Sequence, residues 1–369
     1  MAVTMLTSLV LVIRWGKVRC TGTIPVSFFT FIAILFTSGL DVGLIMFPLV
    51  DFDVYASEPD YSFASPLAIE FGFWGFLVWS FYFLTTFYFC LVEPKLKLFE
   101  IPIVKFTNNV VIIGTCAFTA FLFLAYLPDY IHGITAGARY GLVALVILMA
   151  TFSSTDIKYV KVLSVASTWL FFALIAGIWL SSGMGVSGLA RTMSGIGSYF
   201  SNIQRFVSPI NDYHQFYLYW WFAWSIMIGQ FVARFVDNLS VWKLLLALLI
   251  VPSIPIAIWF SALYYYFTNA LEIGTGWRLA MVVVGIIFVI NSLDSLIRLY
   301  TMNLGITTER FGKMQYVAGN WLALSTLVIL YKFTPLKIEW IGLIVVGIYV
   351  AIYVLVIQRR RQLAPTAHW

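Results

Sequence analysis

Long apolar runs follow one another along almost the whole chain, separated by short polar links. Each run is close to the roughly 17–25 residues that cross a bilayer as a helix. In lipid the backbone polar groups must be satisfied within each segment, so the pattern predicts ten transmembrane α-helices. The runs lie near 26–50, 66–92, 103–127, 134–154, 159–181, 215–236, 241–267, 277–300, 315–333 and 338–357, and a shorter apolar stub, MAVTMLTSLVLVI, precedes them.

Composition excludes a soluble domain and gives no sign of an enzyme. The chain is 62% hydrophobic and 10% charged, with a mean hydropathy of +0.94, whereas soluble domains are about half apolar and a quarter charged. The three cysteines show no C-x-x-C spacing and the three histidines are scattered. We therefore expect no catalytic residues, no cofactor and no metal beyond a coupling ion.

The basic residues fit one membrane orientation. When the N-terminal link R-W-G-K-V-R is placed in the cytoplasm and the ten helices alternate, sixteen of the 22 Lys and Arg residues become cytoplasmic. This positive-inside bias predicts a bacterial-type inner (plasma) membrane protein whose basic N-terminal link and C-terminus are cytoplasmic. The net charge of +6 then reflects topology, and no nucleic-acid partner is implied. Membrane lipids are the expected surroundings.

Ten helices divide into two sets of five that enter from opposite sides. This is the layout of an inverted repeat, with the binding site near the midplane between the repeats. The predicted organisation is an N-terminal stub and basic link at 1–25, a first repeat at 26–181, an outer connection with an amphipathic helix at 182–214, a second repeat at 215–357 and a basic tail at 358–369.

The first predicted helix contains residues that a plain membrane helix avoids. The stretch 36–48, FTSGLDVGLIMFP, holds Gly39, Asp41, Gly43 and Pro48. An ionisable residue at this depth usually marks a pathway or an ion pair, which favours a helix unwound around a site. The other interpretation is a G-x-x-x-G packing face with Asp41 paired to a neighbouring helix.

The sixth predicted helix is rich in aromatic residues. In QFYLYWWFAWSIMIGQFVAR, residues 215–234, Trp220 and Trp224 are four apart and share a helix face. An aromatic belt at the membrane interface explains Tyr217 well, but Trp224 lies about three turns inside. Rings grouped at that depth indicate a cation–π box, which binds quaternary ammonium groups.

This helix resembles the signature of the betaine/carnitine/choline transporter (BCCT) family, roughly F-Y-W-x-W-W-x-x-W-S-P-F-V-G-x-F-x-A-R. Leu218 stands where the signature has a Trp, and Ile226 stands where it has the Pro. FTSGLDVGLIMF, VKVLS at 160–164 and FVINSLDS at 288–295 also resemble family motifs. The resemblance implies an all-α membrane protein with the ten-helix, five-plus-five LeuT-like fold, shortened at its N-terminus. The matching residues are Phe216, Tyr217, Trp220, Trp221, Trp224, Ser225, Gly229, Phe231, Ala233 and Arg234.

The resemblance also implies the site residues. AIEFGFWGFL at 68–77 stands where the family has H-W-G-L-H-P-W-A-I-Y, so Trp74 keeps one box position while Ile69 and Leu77 do not. Asp41 replaces a family Gly, and Asn291 replaces a Thr of the sodium site. The predicted substrate-binding residues are Asp41, Trp74, Trp220, Trp221, Trp224 and Tyr217; the predicted ion-coupling residues are Gly39, Leu40, Asp41, Phe288, Asn291 and Ser292; secondary candidates are Glu70, Gly43, Asp294 and Arg298.

Three of these secondary candidates have an ordinary structural explanation. Asp294 and Arg298 are four residues apart, which is favourable pair spacing on a helix, and Glu70 fits an interfacial carboxylate near the outer end of the second helix.

The resulting expectation is a BCCT-type secondary transporter. It would move a small organic cation or zwitterion such as betaine, choline or carnitine by alternating access, coupled to Na⁺ or H⁺. The alternative is a BCCT-like structural or sensory subunit that does not transport. The first function fits a homotrimer, as the resemblance implies, and the second fits a hetero-complex.

Overall fold

A computed structural model describes residues 1–40, 42–359 and 361 of the chain. The fold is almost entirely helical. Its helices are α1 Ala2–Trp15, α2 Phe28–Ser38, α3 Val42–Met46, α4 Pro48–Ser57, α5 Pro66–Trp74, α6 Trp79–Phe87, α7 Glu93–Leu96, α8 Pro102–Tyr130, α9 Ala136–Ser153, α10 Ile157–Ser181, α11 Val186–Ser194, α12 Gly197–Ser201, α13 Asp212–Val232, α14 Val241–Leu249, α15 Ser253–Thr268, α16 Thr275–Leu304, α17 Thr308–Phe311, α18 Lys313–Phe333 and α19 Ile338–Gln358.

Eight helical segments within the described residues are long and apolar enough to cross a membrane. They coincide with eight of the ten predicted spans. The first predicted span is divided among α2, α3 and α4, and α13 has 21 residues but a Tyr- and Trp-rich sequence of lower hydropathy. The integral membrane class is therefore confirmed. The eight segments are Pro66–Leu96, Pro102–Tyr130, Ala136–Ser153, Ile157–Ser181, Val241–Thr268, Thr275–Leu304, Lys313–Phe333 and Ile338–Gln358.

The first span is broken and continues further than the sequence predicted. Helix α2 ends at Ser38, α3 begins at Val42, and α4 runs to Ser57. Pro48 does not close the span; it occupies the first turn of α4, where its missing N–H costs nothing. The acidic segment after the predicted end of the span at residue 50 is thus helical as far as Ser57, which places Asp51 on a helix facing the protein interior.

The second span is also broken, which the sequence analysis missed. Helix α5 ends at Trp74, Gly75 is extended, and Phe76 has a φ of +45°. This left-handed conformation is uncommon for a residue with a side chain. The backbone N–H of Phe76 donates to Ser253 Oγ at 2.8 Å, so α15 holds the interruption in place.

The predicted outer connection at 182–214 consists of short helices. It forms α11, α12 and a 3₁₀ turn at Ile203–Val207. Tyr199 and Phe206 are fully buried, and their rings pack on Phe71 and Phe73 of α5 at 5.3 and 6.4 Å. Burial of these aromatic rings anchors the connection to the broken second span.

Two links are joined by a short antiparallel ladder. Strand β1, Arg19–Cys20, pairs with β2, Leu239–Ser240. The Gly22 N–H also donates to Val236 O at 2.8 Å. The basic link before α2 and the link after α13 therefore meet at one end of the molecule.

The centre of the fold is formed by α2, α6, α10, α13 and α16, which pack on one another and on α8, α9 and α19. Gly229 of α13 permits a close approach to α6, because an added Cβ would lie 2.1 Å from Thr85 Oγ1. Side-chain N-caps stabilise the first turns of α5 and α13. The Ser65 side chain accepts from Ala68 N, and Asn211 Oδ1 accepts from His214 N.

Candidate functional site

The break in the first span exposes backbone carbonyls to side chains of other helices. Ser292 Oγ of α16 lies 2.7 Å from Leu40 O and 3.3 Å from Thr37 O. The Tyr82 hydroxyl of α6 donates to Gly39 O at 3.2 Å. These contacts satisfy carbonyls that the interrupted helix leaves without N–H partners.

Gly39 lies at the helix break and also permits close packing of the neighbouring side chains. An added Cβ would lie 2.9 Å from Leu35 O and 3.2 Å from the Tyr82 ring. The two interpretations of the motif therefore coexist at this residue. Gly43 lies buried in α3, and its carbonyl accepts from Phe47 N at 2.9 Å. Asp41, the departure from the family motif, lies outside the described residues, so its predicted roles stay predictions.

Four tryptophans converge beside the break. The Trp74 ring lies edge-on to Trp220 and Trp221, each at 5.6 Å. Together with Gly39, Leu40 and Trp224, these residues line a small cavity of about 10 Å³, which has room for about one water molecule. We call this set of residues the tryptophan chamber.

The indole N–H groups of the chamber differ in their partners. Trp221 Nε1 donates to Phe73 O at 2.8 Å, at the C-terminal end of α5. The indole nitrogens of Trp74, Trp220 and Trp224 are buried without a hydrogen-bond partner among the described residues. Trp221 therefore satisfies a carbonyl at the C-terminal end of α5. The indole N–H groups of the other three tryptophans are buried donors without an acceptor among the described residues.

A cluster of two carboxylates and three tyrosines adjoins the chamber. Asp51 Oδ2 accepts from Tyr217 at 3.0 Å and lies 3.2 Å from the Tyr55 hydroxyl, and Asp51 Oδ1 accepts from Tyr213 at 2.9 Å. Tyr55 also lies 2.8 Å from Glu70 Oε2. Tyr217, predicted to contact substrate, thus directs its hydroxyl to Asp51. We call these five residues the acid–tyrosine cluster.

Glu70 is not the interfacial carboxylate of the simpler interpretation. It is fully buried, and its Oε1 has no hydrogen-bond partner among the described residues. The Tyr217 ring lies 5.7 Å from Trp74, so the acid–tyrosine cluster and the tryptophan chamber share a wall. Glu70 is therefore buried next to the tryptophan chamber, and its predicted role as a secondary candidate stays a prediction.

The predicted ion-site residues on α16 are buried together. Asn291 Nδ2 donates to Ser167 Oγ of α10 at 2.9 Å, while Asn291 Oδ1 lacks a partner among the described residues. The Phe288 ring packs against Phe36 and Phe171 at 6.0 and 5.7 Å. The arrangement brings Ser292 to the broken span and leaves one buried amide oxygen of the preceding Asn291 without a partner among the described residues.

Asp294 and Arg298 form the local pair that their spacing predicted. Arg298 Nη2 lies 3.3 Å from Asp294 Oδ1 and donates to the carbonyls of Ser153 and Asp156. The Ser153 hydroxyl donates to Asp294 Oδ2. At the adjoining surface, the backbone N–H of Lys158 holds the pKa of Asp156 below its ordinary value. These contacts tie α16 to the α9–α10 turn, which is a structural role.

Sequence reasoning missed Asp51, Tyr55 and Tyr213. Asp51 and Tyr55 are four apart, as are Tyr213 and Tyr217, so each pair shares a helix face. That spacing was a usable signal, but the first pair was assigned to a loop. Asp51 and Tyr55 lie opposite Glu70 only because α4 continues to Ser57.

Comparison with known proteins supports the family resemblance. Residues 110–264 match the model of BCCT, the betaine/carnitine/choline family transporter. That stretch contains α13 with its Trp-rich signature, whereas the broken first span, α5 and α16 lie outside it.

Two curated proteins are similar to parts of the chain. An uncharacterized transporter of Haemophilus influenzae is 27% identical over 278 residues, which is 64% of this chain and 41% of that protein. A glycine betaine/proline/choline transporter of Vibrio parahaemolyticus is 30% identical over 105 residues, which is 26% of this chain and 18% of that protein. The chain thus spans less than half the length of either relative.

A solved structure shares the fold. It shows the substrate-bound outward-open state of a Na⁺-coupled sialic acid symporter, with a TM-score of 0.51, 16% sequence identity, and coverage of 92% of this chain and 82% of that chain. At this identity the likeness concerns the fold, and it confirms the predicted LeuT-like architecture. With the family match over 110–264, the resemblance of this chain to the betaine/carnitine/choline transporter family is confirmed.

Proposed function

We propose that the chain is the solute-binding core of a cation-coupled secondary transporter. The proposal depends chiefly on one observation: the broken first span lies against four tryptophans. Its Gly39 and Leu40 line the tryptophan chamber, and its Thr37 and Leu40 carbonyls contact Ser292. Transporters of this architecture bind solute and coupling ion at interrupted helices near the midplane. In this chain the tryptophan chamber is the candidate site for the solute, and the oxygens around Ser292 are the candidate site for the coupling ion.

The tryptophan chamber suits a quaternary ammonium or zwitterionic solute such as betaine, choline or carnitine. Trp faces attract cations through the ring quadrupole, with about 2 kcal/mol available when the pair is desolvated. The chamber rings are at most 4% exposed, so they are desolvated. Because the cavity is small, Trp74 must separate from Trp220 and Trp221 to admit such a solute, which fits alternation between open and closed states.

Sodium has a candidate site at the other side of the break. Carbonyl and amide oxygens ligate hard cations, and Leu40 O, Thr37 O and Asn291 Oδ1 are such groups. Ser292 Oγ already contacts both carbonyls, and an ion there would take the place of its hydroxyl proton as their common partner. This supports Na⁺ as one of two candidate coupling ions.

A non-transporting subunit is the second candidate. The observation that favours it is the close packing of the tryptophan chamber, which has room for about one water molecule. In that function the chamber would be a rigid core, and the protein would act through partners in a membrane complex.

Uptake by the purified chain in proteoliposomes tests the proposal. Labelled betaine and choline are supplied separately, each with a Na⁺ gradient, a proton gradient or neither. We expect uptake of one of them to be driven by a gradient. Absence of uptake and of counterflow for both solutes, together with isolation of the chain in a stable complex, would favour the non-transporting subunit.

A matched pair of variants tests the chamber. Trp224→Phe keeps an aromatic ring but weakens the cation–π attraction, so we expect KM to rise about tenfold, equivalent to about 1.4 kcal/mol. Trp169→Phe is the control, because Trp169 is 58% exposed at the outer surface of α10. Equal KM values in the two variants would place the solute elsewhere.

A further inference from the structure

Two buried acids lie side by side without a cation to balance them. Asp51 on α4 is 6% exposed and Glu70 on α5 is 0% exposed. Among the described residues, no Lys, Arg or His nitrogen lies within ion-pair distance of either carboxylate. Since two unpaired buried charges would cost several kcal/mol each, this arrangement calls for another means of neutralisation.

When both acids are ionised, the cluster has one O–H donor fewer than its hydrogen-bond distances require. Tyr213 and Tyr217 each donate to Asp51. The Tyr55 hydroxyl lies within hydrogen-bond distance of both Asp51 and Glu70, but a hydroxyl donates only once. One additional proton on Glu70 completes the network, because Glu70 then donates to Tyr55, and Tyr55 donates to Asp51.

The unpartnered oxygen of Glu70 independently identifies the residue that carries the proton. Glu70 Oε1 is buried without a hydrogen bond of normal geometry among the described residues, and the neighbouring indole N–H of Trp74 also lacks one. The two side chains interact only weakly with each other. A bare oxygen on a buried carboxylate anion is far more costly than one on a neutral acid. Asp51, with tyrosine hydroxyls around both of its oxygens, is the better site for the negative charge.

No cation among the described residues of the surrounding elements is paired with the cluster. His214 is neutral, because its Nδ1 accepts from Ile210 N at 3.1 Å. Arg205 of the Ile203–Val207 turn lies over the Phe63 ring. Arg278 lines a cavity with His132 and Phe52 and donates to Ile273 O. The other titratable groups that act on the cluster or on its neighbour Tyr61 are Glu58, Asp60 and Tyr126.

We propose that Glu70, with Asp51 and Tyr55, is a proton-binding site that couples solute movement to a proton gradient; this rests on the proposed transport function. A proton from water forms an O–H bond with a Glu70 carboxylate oxygen, and release breaks that bond and returns the proton to water. The oxygens of the cluster already bond one another, and the described residues hold no group of three or more acidic, His or Cys ligands for a metal. A proton therefore fits where a larger cation does not.

The position of the site explains how the proton would be linked to the solute. Asp51 belongs to the outer part of the broken first span, and Glu70 lies one turn before Trp74 of the tryptophan chamber. Loss of the proton leaves two anions on opposite sides of Tyr55, and their repulsion favours separation of α4 from α5. Because α5 carries Trp74, that movement alters the chamber.

Infrared difference spectroscopy on the purified chain tests the proton site without requiring transport. We expect a C=O band from a protonated carboxylic acid at neutral pH, lost in Glu70→Gln and unchanged in Glu100→Gln, whose carboxylate is exposed beside Lys97. Asp51→Asn is the second variant: with one acid left, the Tyr55 proton is free for Glu70, and the band should disappear at a lower pH. A wild-type protein without the band, or a band retained in Glu70→Gln, would overturn the site.

Transport in proteoliposomes tests the coupling. An inward proton gradient without Na⁺ should accelerate uptake of labelled betaine or choline by the wild type, whereas Glu70→Gln should lose the acceleration and retain solute counterflow. Acceleration that persists in Glu70→Gln, or uptake driven by Na⁺ alone at every pH, would overturn the coupling. A wild type with the infrared band but no uptake or counterflow would contradict the transport function and leave the proton site standing.

Discussion

Two buried acidic centres in this protein are neutralised in opposite ways. At one, Asp294 faces Arg298, and Ser153 completes the contacts of the carboxylate. At the other, Asp51 and Glu70 face each other through Tyr55, and every identified donor is a neutral hydroxyl. The first centre contains a fixed cation, whereas the second has none from the described part of the chain.

The difference separates a structural site from a candidate coupling site. A buried ion pair with good hydrogen bonds holds its helices in one arrangement, and removal of one partner leaves an uncompensated charge. A pair of acids sharing donors can instead be neutralised by a proton from solvent, and that neutralisation is reversible. The comparison predicts that equally conservative changes at the two centres will have unequal effects on stability.

The largest effect is expected at the paired centre. Arg298→Met keeps much of the side-chain volume but leaves Asp294 buried without its cation, so we expect a loss of about 3–5 kcal/mol in unfolding free energy. Thermal unfolding of the protein in detergent, followed by gel filtration of the soluble fraction, measures it. Arg191→Met, at an exposed site on α11, is the control, and equal losses in the two variants would remove the distinction.

A smaller effect is expected from the hydroxyl that links the two acids. Tyr55→Phe removes the hydroxyl that accepts from protonated Glu70 and donates to Asp51. Asp51 keeps two tyrosines, so a loss of about 1–3 kcal/mol is expected for the buried Glu70 carboxyl left without a partner. The same unfolding assay compares it with Tyr159→Phe, a half-buried tyrosine of α10. A Tyr55→Phe protein as stable as that control would mean that Tyr55 does not bridge the acids.

The smallest effect is expected at Glu70 itself. Glu70→Gln preserves the shape and replaces a neutral acid by a neutral amide, so the unfolding free energy should change by less than about 1 kcal/mol. The variant should nevertheless lose coupling to a proton gradient. A loss as large as that of Arg298→Met would show that Glu70 is an ionised structural residue, contrary to the proposed proton site.

The sequence was most informative where one helix or one motif carried the signal. The apolar runs predicted the spans, and FTSGLDVGLIMFP predicted the break because Gly39 and its neighbours weaken a helix locally. The Trp-rich signature of α13 led to the chamber residues Trp220, Trp221 and Trp224, which the structure brings together. The pairing of Asp294 with Arg298 followed from a spacing of four residues.

The misses arose where contacts join distant segments. The acidic stretch after Pro48 has the composition of a loop, yet Asp51 and Tyr55 are held in α4 by packing against α5 and α15. The break after Trp74 has only Gly75 as a local signal, and Ser253, far along the chain, satisfies its backbone. The inward packing of Tyr199 likewise depends on its contact with Phe71 of α5.

The sequence by itself determined a polytopic helical membrane protein, its transporter-like architecture and the approximate place of the broken span, because hydropathy, glycine placement and aromatic spacing act within a single helix. Only the tertiary structure decided that Glu70 faces Asp51 rather than solvent. Burial, donor count and the distance between two carboxylates belong to several helices at once, and these quantities distinguish a paired structural acid from one that can hold a proton.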